Sequence, residues 1–477
     1  MTVTETPPAV GAHGDEVPLS VQQEFLCLWD KGDDMGPFGP RFHIVDGWRV
    51  RGRVDTALLR AALDDVVVRH EALRTTVVRE EGGRRQSIHD PSPVPLEVRD
   101  LSGTDRADEE ARHLRSEELL NELAAGTVDV RRMPLLRAVL GRFDEDDAVL
   151  ALVAHHTAVD AWSMQVLLRD LAALYARRAG QPDIPLEPAT QYREYALWQR
   201  SPEAREAERS ARAFWRRRLE GARALALPTD RPRSAEPDFS TAWHRFRYGE
   251  RLSAATTDLA RQTRSSAFIV LLAAFNVFLR RRTGETDIVV PTFTPGRGQA
   301  RFQNAVGSFF NFLPLRTDLS GCATFREVVR RTRAVCLEAY TREIPLAHVL
   351  QEAPALMERT AVDGLASCVF QVIQTPFTMA GERVGPLEYS AIRRKVLSQS
   401  VGSDIPDGML LCLEITSCGD LIGELGFSSN LFDGSTAEAL VAGFREVLGE
   451  LLASPDAALP DSRPHPGTHP DIHPNQE

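Results

Sequence analysis

Lysine is almost missing from this 477-residue chain, since only Lys31 and Lys395 among its 56 basic residues are lysines. Catalysis through a lysine amine therefore has two candidates at most. The arginine excess is the pattern that a GC-rich coding sequence produces. Basic residues are outnumbered by 67 Asp and Glu, which gives a net charge of −11. This balance argues against nucleic acid or an anionic membrane surface as the main partner.

Cysteine is also scarce, with six residues and no CxxC pair. We therefore expect reduced, mostly buried thiols, with neither a disulfide framework nor a zinc knuckle. No stretch approaches the roughly 20 apolar residues that a membrane span needs. The N-terminal residues lack the basic region and apolar core of a signal peptide. These absences predict a cytoplasmic protein that neither spans nor binds a membrane.

Both ends of the chain are rich in proline and polar residues and have no periodic apolar face. Residues 1–16 and 455–477 are therefore predicted to be disordered. The tail histidines His465, His469 and His473 raise the possibility of a metal site. Neighbouring prolines and the lack of carboxylate or thiol support favour a solvated tail, and we predict no metal.

Between the ends, segments with strand and helix periodicity alternate, which predicts an α/β fold with mixed sheets covered by helices. The loop 181–190 is the best linker candidate, so we predict two lobes, 17–180 and 181–454. The predicted strands are 48–54, 135–143, 148–154, 287–292, 311–317, 366–374, 408–415 and 420–427. The predicted helices are one capped by Asp55, 164–178, 203–219, 266–282, 324–341 and 435–453.

The most informative segment follows the apolar strand 148–154 and reads HHTAVDAWS from His155 to Ser163. Adjacent residues of an extended chain point to opposite sides, so one histidine can face a cleft while its neighbour packs inward. Asp160 can fold back to hold the local backbone or a distant arginine. A buried structural pair is the alternative for the two histidines alone, and zinc would need a third ligand that nothing nearby supplies.

This segment resembles the HHxxxDG motif of nonribosomal peptide synthetase condensation domains, and further matches follow in that family's order from about residue 18 to 453. They are LSVQQ at 19–23 with Leu28-Trp29 (SxAQxRLW), RHEALRT at 69–75 (RHExLRT), YREYALW at 192–198 (YxDYAxW), VGSFFNFLPLR at 306–316 (VGxFVNTLPLR) and Phe370-Gln371. Several ordered matches are far more specific than any single one.

The resemblance implies two chloramphenicol-acetyltransferase-like lobes in a V-shaped pseudo-dimer, with the active site in a tunnel between them. It assigns the chemistry to His156 and supporting roles to His155 and Asp160. Arg297 falls where the family's aspartate finds an arginine on the second lobe. A charge-assisted hydrogen bond between the two would orient the motif loop.

Position 161 departs from the family, because Ala161 stands where glycine is usual. If only a backbone N–H is needed there, alanine supplies it; if a positive φ or the closest substrate approach is needed, the methyl group narrows the tunnel or strains the turn. Trp162, Ser163, Ser308 and Asn311 are the candidates for the tunnel wall. Core packing is the alternative for Trp162, and structural filler the alternative for Ser308.

The resemblance implies an acyltransferase that moves an acyl or aminoacyl group from a carrier-protein phosphopantetheine thioester to the amine or hydroxyl of a small acceptor. No carrier motif or nucleotide-binding loop is seen, so we expect a free-standing enzyme with no bound cofactor whose donor arrives on a carrier protein in trans. It looks most similar to the tailoring enzymes that esterify an enediyne core in antibiotic biosynthesis. Heterocyclisation and epimerisation signatures fit poorly, and a non-catalytic carrier-docking module is the alternative.

Overall fold

The computed structural model describes residues 17–80, 83–181, 184–233, 240–373 and 379–459. The strands are β1 (Val17–Pro18), β2 (His43–Arg51), β3 (Thr75–Val78), β4 (Arg85–Ile88), β5 (Leu96–Asp100), β6 (Leu136–Arg142), β7 (Asp147–His155), β8 (Ala226–Pro228), β9 (Thr241–Arg247), β10 (Asp287–Thr294), β11 (Asn311–Asp318), β12 (Leu365–Val372), β13 (Ala380–Val384), β14 (Leu387–Ala391), β15 (Met409–Ile415) and β16 (Leu421–Ser428). The helices are α1 (Val21–Leu28), α2 (Thr56–Arg69), α3 (Glu109–Ala125), α4 (Ala161–Arg178), α5 (Tyr192–Trp198), α6 (Pro202–Arg218), α7 (Glu250–Gln262), α8 (Ala267–Thr283), α9 (Phe325–Tyr340), α10 (Leu346–Glu352) and α11 (Gly434–Ala453).

The first large sheet has the strand order β13-β14-β2-β7-β6-β5 and is antiparallel except for the β5–β6 pair. All nine residues of β7 are buried, which explains why its sequence is apolar on both faces. Helices α2 and α4 pack on one face, and α3 packs on the other. Asp55 caps α2 as predicted, since its Oδ1 accepts from the backbone N–H groups of Ala57 and Leu58.

The second large sheet has the order β11-β10-β12-β15-β16-β9, with β8 added beside β12. It mixes parallel and antiparallel pairs, as the α/β prediction requires. Helices α7, α8, α9 and α11 pack on its outer face in the largest hydrophobic core. The opposite, inner face carries a smaller cluster that includes Phe312, Val369 and Cys412.

Two segments of the second half of the chain cross over to the first half. The hairpin β13–β14 pairs with β2 and covers the edge of the first sheet. The loop after β10 also crosses, placing Phe302, Val306 and Phe309 in the core under α4. The predicted division at residues 180 and 181 therefore does not separate the two sheets completely, because β13 and β14 of the first sheet come from the second half of the chain.

All predicted strands and helices are present, with ends that shift by a few residues. The prediction missed α1, α3, α5, α7, α10 and the strands β1, β3, β4, β5, β8, β9, β13 and β14. Several of these are only two to five residues long, and α3 is too rich in charge to show a clear apolar stripe.

The predicted disordered tail starts within the described residues. Leu459 N–H donates to the carbonyl of Ala323 at 2.8 Å, and Ala458 forms a β-bridge with Thr324. Residues 1–16 and 460–477, with the three tail histidines, lie outside the described residues. Among the described residues no group of three or more His, Cys, Asp or Glu side chains could hold a metal ion.

In the described part of the chain no single helix is long and apolar enough to cross a membrane. Helices α7 and α8 pass that test only as a pair, and they are bent by 105° relative to each other. Twelve consecutive residues of α8, from Phe268 to Leu279, are buried in the core.

Candidate active site

His155 is the last residue of β7, and its imidazole is held on every side. It is 0% exposed. The backbone N–H of Thr157 donates to Nδ1 at 3.3 Å, so Nε2 carries the proton and donates to the carbonyl of Gly39 at 3.1 Å. Burial lowers the pKa of His155 to about 3. This histidine is neutral and structural, with no ring nitrogen left for chemistry.

His156 points the other way and keeps one ring nitrogen open. Its Nδ1 lies 2.8 Å from the carbonyl oxygen of Val159, which can only accept, so Nδ1 carries the proton. Nε2 then holds a lone pair, and no described residue hydrogen-bonds to it. Burial lowers the pKa of His156 below its ordinary value, with Asp160 acting in the opposite direction. The imidazole is therefore a neutral base at pH 7.

Two phenylalanines hold the imidazole of His156 in place. The ring of Phe42 stacks on it at 4.7 Å between centroids, and Phe310 meets it edge-on at 4.9 Å. Phe310 also contacts Phe293 and Phe312 on the inner face of the second sheet. The base thus faces an apolar wall that limits water at the reacting nitrogen. The sequence pattern assigned no role to either flanking ring, because Phe42 lies just before β2 and the motif around Phe310 has no periodicity of its own.

Asp160 organises the turn between β7 and α4. Its Oδ1 caps α4 by accepting from the backbone N–H of Ser163 at 2.8 Å. Its Oδ2 accepts from Arg297 Nη1 at 2.6 Å and from the backbone N–H of Phe309 at 3.1 Å. No hydrogen bond joins this carboxylate to His156 in the described structure. Asp160 positions the loop, and the pairing with Arg297 that the family resemblance implied is present.

Arg297 ties that turn to the loop that crosses from the second half of the chain. The side chain is 1% exposed and donates to Asp160, to Ser163 Oγ at 2.8 Å and to the carbonyls of Pro295 and Ala305. Its guanidinium lies 4.1 Å from the ring centroid of Phe309. This buried ion pair holds the turn and the crossing loop in one arrangement. Both charges have lost their water, and only this arrangement offsets that cost with hydrogen bonds.

Ala161 is the first residue of α4, and its side chain is exposed. Among the described residues Arg264 is the only non-glycine with a positive φ, so the turn at 161 does not need glycine's conformational freedom. Trp162 is half-buried against the core under α4 and donates from Nε1 to the carbonyl of Gln303 at 2.8 Å. It links the crossing loop to the helix.

Ser163, predicted for the tunnel wall, is fully buried in the Arg297 network. Its Oγ donates to the carbonyl of Gly307 at 2.8 Å and accepts from Gly307 N–H at 3.1 Å. Ser308 is also 0% exposed, and its Oγ has no partner among the described residues. Asn311 binds the carbonyl of Ile344 and the N–H of Leu346, each at 2.9 Å. Ser163 and Ser308 are thus buried, whereas Asn311 lines a small cavity together with Phe310 and Phe312. Their place in the tunnel wall stays a prediction.

Tyr192, from the YREYALW segment, hydrogen-bonds to the loop that follows β10 and crosses to the first half of the chain. Tyr192 donates to the carbonyl of Ser308 at 2.7 Å and contacts the capping hydroxyl of Ser20 at 2.7 Å. A Cβ on Gly307 would lie 2.0 Å from the Tyr192 ring, so only glycine fits there. Three matched motifs that are far apart in sequence, LSVQQ, YREYALW and VGSFFNFLPLR, thus meet at Tyr192. Their sequences match family motifs, but the sequence alone indicates no role for them.

The arrangement can remove one proton from a nucleophile in a site with restricted access to water. A neutral imidazole with a free Nε2 and a lowered pKa is suited to general-base catalysis near neutral pH.

Comparison with known proteins agrees with this geometry. A profile of the family described as "Condensation domain" matches residues 47–463. The chain is 33% identical to chondramide synthase cmdD of Chondromyces crocatus over 469 residues, covering 96% of this chain and 11% of that protein. It is 32% identical to the dimodular nonribosomal peptide synthase of Bacillus subtilis (strain 168) over 460 residues, covering 93% of this chain and 18% of that protein. The chain thus spans less than a fifth of the length of these relatives.

Solved structures extend the comparison to the whole fold. The crystal structure of SgcC5 from Streptomyces globisporus, in complex with (R)-(-)-1-(2-naphthyl)-1,2-ethanediol and sucrose, matches with a TM-score of 0.89 at 50% identity. That match covers 93% of this chain and 100% of the SgcC5 chain. The X-domain from teicoplanin biosynthesis matches with a TM-score of 0.72 at 27% identity, covering 94% of this chain and 98% of that one. With its mixed α/β fold, the chain belongs to the condensation-domain family.

Proposed function

We propose that this chain is a free-standing condensation enzyme that transfers an acyl or aminoacyl group from a carrier-protein phosphopantetheine thioester to a hydroxyl group, forming an ester in the biosynthesis of an enediyne-type antibiotic. The observation that carries the proposal is His156, with Nδ1 bound to Val159 and Nε2 open. The match to SgcC5 covers that chain completely, which supports a donor carried by a separate protein. The diol in that structure supports a hydroxyl acceptor.

In the proposed reaction the acceptor oxygen attacks the thioester carbonyl carbon while its proton passes to Nε2 of His156. The C–O bond forms, the carbonyl π pair moves to oxygen, and the imidazole becomes imidazolium. Collapse of the tetrahedral intermediate breaks the C–S bond, and the imidazolium returns its proton to the leaving thiolate. An amine can attack before it loses its proton, whereas an alcohol benefits from deprotonation during attack, so ester formation depends more steeply on His156.

Cytoplasmic location is part of the proposal and is supported by the thiols. All six cysteines are free, and only Cys418 is exposed. Reduced, buried thiols suit a reducing compartment.

A second candidate is a docking module that binds carrier proteins without turnover. It is favoured by the teicoplanin X-domain, which is 27% identical to this chain and forms a complex with OxyB. An open, neutral base held by two aromatic rings has no use in such a module, so we favour the enzyme.

The deciding experiment incubates the purified chain with an acyl-loaded carrier protein and a matched pair of acceptors, 1-(2-naphthyl)-1,2-ethanediol and its terminal amino analogue, with mass-spectrometric detection. We expect the ester as main product and its loss in His156→Ala. Amide as the dominant product would overturn the hydroxyl assignment. Equal silence with both acceptors, with carrier binding intact, would favour the docking module.

A further inference from the structure

Glu343 is a carboxylate outside the Asp160–Arg297 network, and the proposed reaction does not use it. It lies in the connection between α9 and α10, where burial raises its pKa above the ordinary value. Its Oε1 accepts from the hydroxyl of Thr294 and, at 3.1 Å, from Asn311 Nδ2. One carboxylate oxygen thus binds two side chains from different strands, and such charge-assisted hydrogen bonds hold both partners in place.

The two partners of Glu343 are the ends of the crossing loop, residues 295–310. Thr294 is the last residue of β10 and Asn311 is the first residue of β11, and they are opposite each other in the antiparallel register. Glu343 therefore binds this loop both where it leaves the second sheet and where it returns. We call Thr294, Asn311 and Glu343 the loop clamp. Arg297 of the catalytic site lies on the loop that the clamp closes.

The end of the loop at Asn311 is next to the candidate base. Phe310 directly precedes Asn311 and meets the imidazole of His156 edge-on, with 4.9 Å between the ring centroids. Asn311 is also bound to the connection that carries Glu343, since its Nδ2 donates to the carbonyl of Ile344 and its Oδ1 accepts from the N–H of Leu346, each at 2.9 Å. The clamp is therefore one residue away from a ring that contacts His156.

Packing alone does not enclose the ring of Phe310. A small cavity lies between α1 and the start of α10, with Phe25, Phe310, Asn311 and Leu346 among the residues that line it. His156 does not line this cavity, so the open space borders a different part of the Phe310 ring. A ring with open space beside it lacks contacts on that side. Its position against the imidazole then depends on how firmly the backbone at Asn311 is held.

We propose that Glu343 is a positioning residue for the condensation reaction and that, through Asn311, it holds the ring of Phe310 against the imidazole of His156. The inference rests on the proposed function for the reaction that His156 performs. The Phe310 ring keeps water away from one side of the imidazole, and a less shielded imidazole binds a proton more readily. Loss of the clamp therefore changes both the orientation of the base and its proton affinity.

The experiment measures kcat for ester formation and the pKa of His156. The substrates are an acyl-loaded carrier protein and 1-(2-naphthyl)-1,2-ethanediol. The pKa comes from NMR titration of the imidazole nitrogens, with His156→Ala identifying the signals. The other titratable groups coupled to His156 are Asp160, His155 and His43, and every clamp variant leaves them unchanged.

Glu343→Met removes the shared acceptor oxygen of the clamp. We expect kcat to fall about tenfold or more, because a displacement of about 1 Å can lower a rate by up to about 10². KM for donor and acceptor should change less than kcat, since the reacting geometry is altered more than the binding surface. The pKa of His156 should rise toward 6.5 as the Phe310 ring shields it less.

Three further variants isolate the role of the clamp. Glu343→Gln keeps a side-chain oxygen that can accept from both loop ends, so kcat and the pKa of His156 should stay near their wild-type values. Glu338→Met removes an exposed carboxylate from the last turn of α9 and should change neither quantity. Thr294→Val removes one of the two donors and should shift both quantities in the same direction as Glu343→Met but by less. It replaces Glu343→Met as the test if that variant folds poorly.

The inference is overturned if Glu343→Met leaves both kcat and the pKa of His156 unchanged, or if Glu338→Met alters them equally. A lower kcat with an unchanged pKa of His156 also overturns it, because the loss then does not pass through Phe310. The same holds if Glu343→Gln loses as much activity as Glu343→Met.

The NMR titration separates this inference from the proposed function. If the wild-type protein forms no ester, the proposed function fails, while a higher pKa of His156 in Glu343→Met still supports the clamp and an unchanged one overturns it. If ester forms and His156→Ala abolishes it, but Glu343→Met has neither effect, the clamp fails alone.

Discussion

His155 and His156 are neighbours in sequence and yet belong to different chemistries. The first uses both ring nitrogens inside the protein, with Gly39 and Thr157 as partners. The second uses only Nδ1 and leaves Nε2 toward the space between the sheets. The strand makes this division, because consecutive side chains leave it on opposite sides. What separates a structural histidine from a candidate base is therefore the nitrogen that stays open.

The two residues also differ in what surrounds the ring. His155 is enclosed in the first sheet's own core, whereas His156 is flanked by Phe42 from the first half of the chain and Phe310 from the second. A base built between two halves depends on both for its orientation. The contrast predicts that His156 variants change catalysis and that variants around His155 change stability.

The largest expected effect is on catalysis at His156. In His156→Ala, kcat/KM for ester formation should fall by about 10²–10⁴, because the general base is lost. The free energy of unfolding should change by about 1 kcal/mol or less, since the residue is only half-buried. Steady-state kinetics and denaturant titration of the same preparation test both statements. Ester formation within a factor of ten of wild type would remove His156 as the base.

Next in size is the buried pair that holds the motif loop. Asp160→Ala should lower the free energy of unfolding by about 3–5 kcal/mol, because Arg297 is left as an uncompensated buried charge. A double variant, Asp160→Ala with Arg297→Met, should recover part of this loss. Urea unfolding of the two single variants and the double variant forms the cycle. Additive losses would show that the pair is not coupled.

The third prediction concerns stability in acid. Burial lowers the pKa of His43 to about 4 and of His155 to about 3, both below the ordinary value of 6.5. The unfolded chain therefore binds more protons than the native chain between these values, and this contribution is complete above pH 6.5 and lost as the pH falls. The slope is about 2.7 kcal/mol per pH unit for two groups. In His155→Gln it should fall by about half in urea titrations between pH 6.5 and 4.5, and an unchanged slope would contradict the assignment.

The same logic gives His156 a visible signature in the pH profile of activity. Its pKa is lowered by burial, so the neutral form should persist below pH 6.5 and the rate should fall only at lower pH, about tenfold per unit beyond the pKa. The profile of kcat/KM against pH measures this directly. A midpoint at or above 6.5 would mean that the imidazole is not desolvated as the structure indicates.

The smallest effect is expected at Ala161. Because its side chain is exposed and its φ is negative, Ala161→Gly should destabilise the protein by no more than about 1 kcal/mol through the helix propensity of glycine. Ester formation with small acceptors should stay within about threefold of wild type. A gain selective for bulky acceptors would show that the alanine methyl narrows the approach to His156.

The secondary structure of the HHTAVDAWS segment can be predicted from the sequence, because it depends on neighbouring residues. An apolar run that ends in two histidines and an aspartate at a helix start predicts a strand, a turn and a cap, and β7, Asp160 and α4 follow that order. The pairing of Asp160 with Arg297 came from family resemblance, since 137 residues separate them. The burial of Ser163 and Ser308 could not be predicted in this way, because burial depends on tertiary neighbours that a local pattern does not reveal.

Local pattern thus suffices for the long strands and helices, for the opposite orientations of the two histidines and for the cap on α4, because these depend on neighbouring residues and strand or helix periodicity. Only folding brings Phe42 and Phe310 to the same imidazole and pairs the hairpin β13–β14 with the first sheet. These contacts join residues hundreds of positions apart. Their physical basis is the packing of the two sheets against each other, which no single segment encodes.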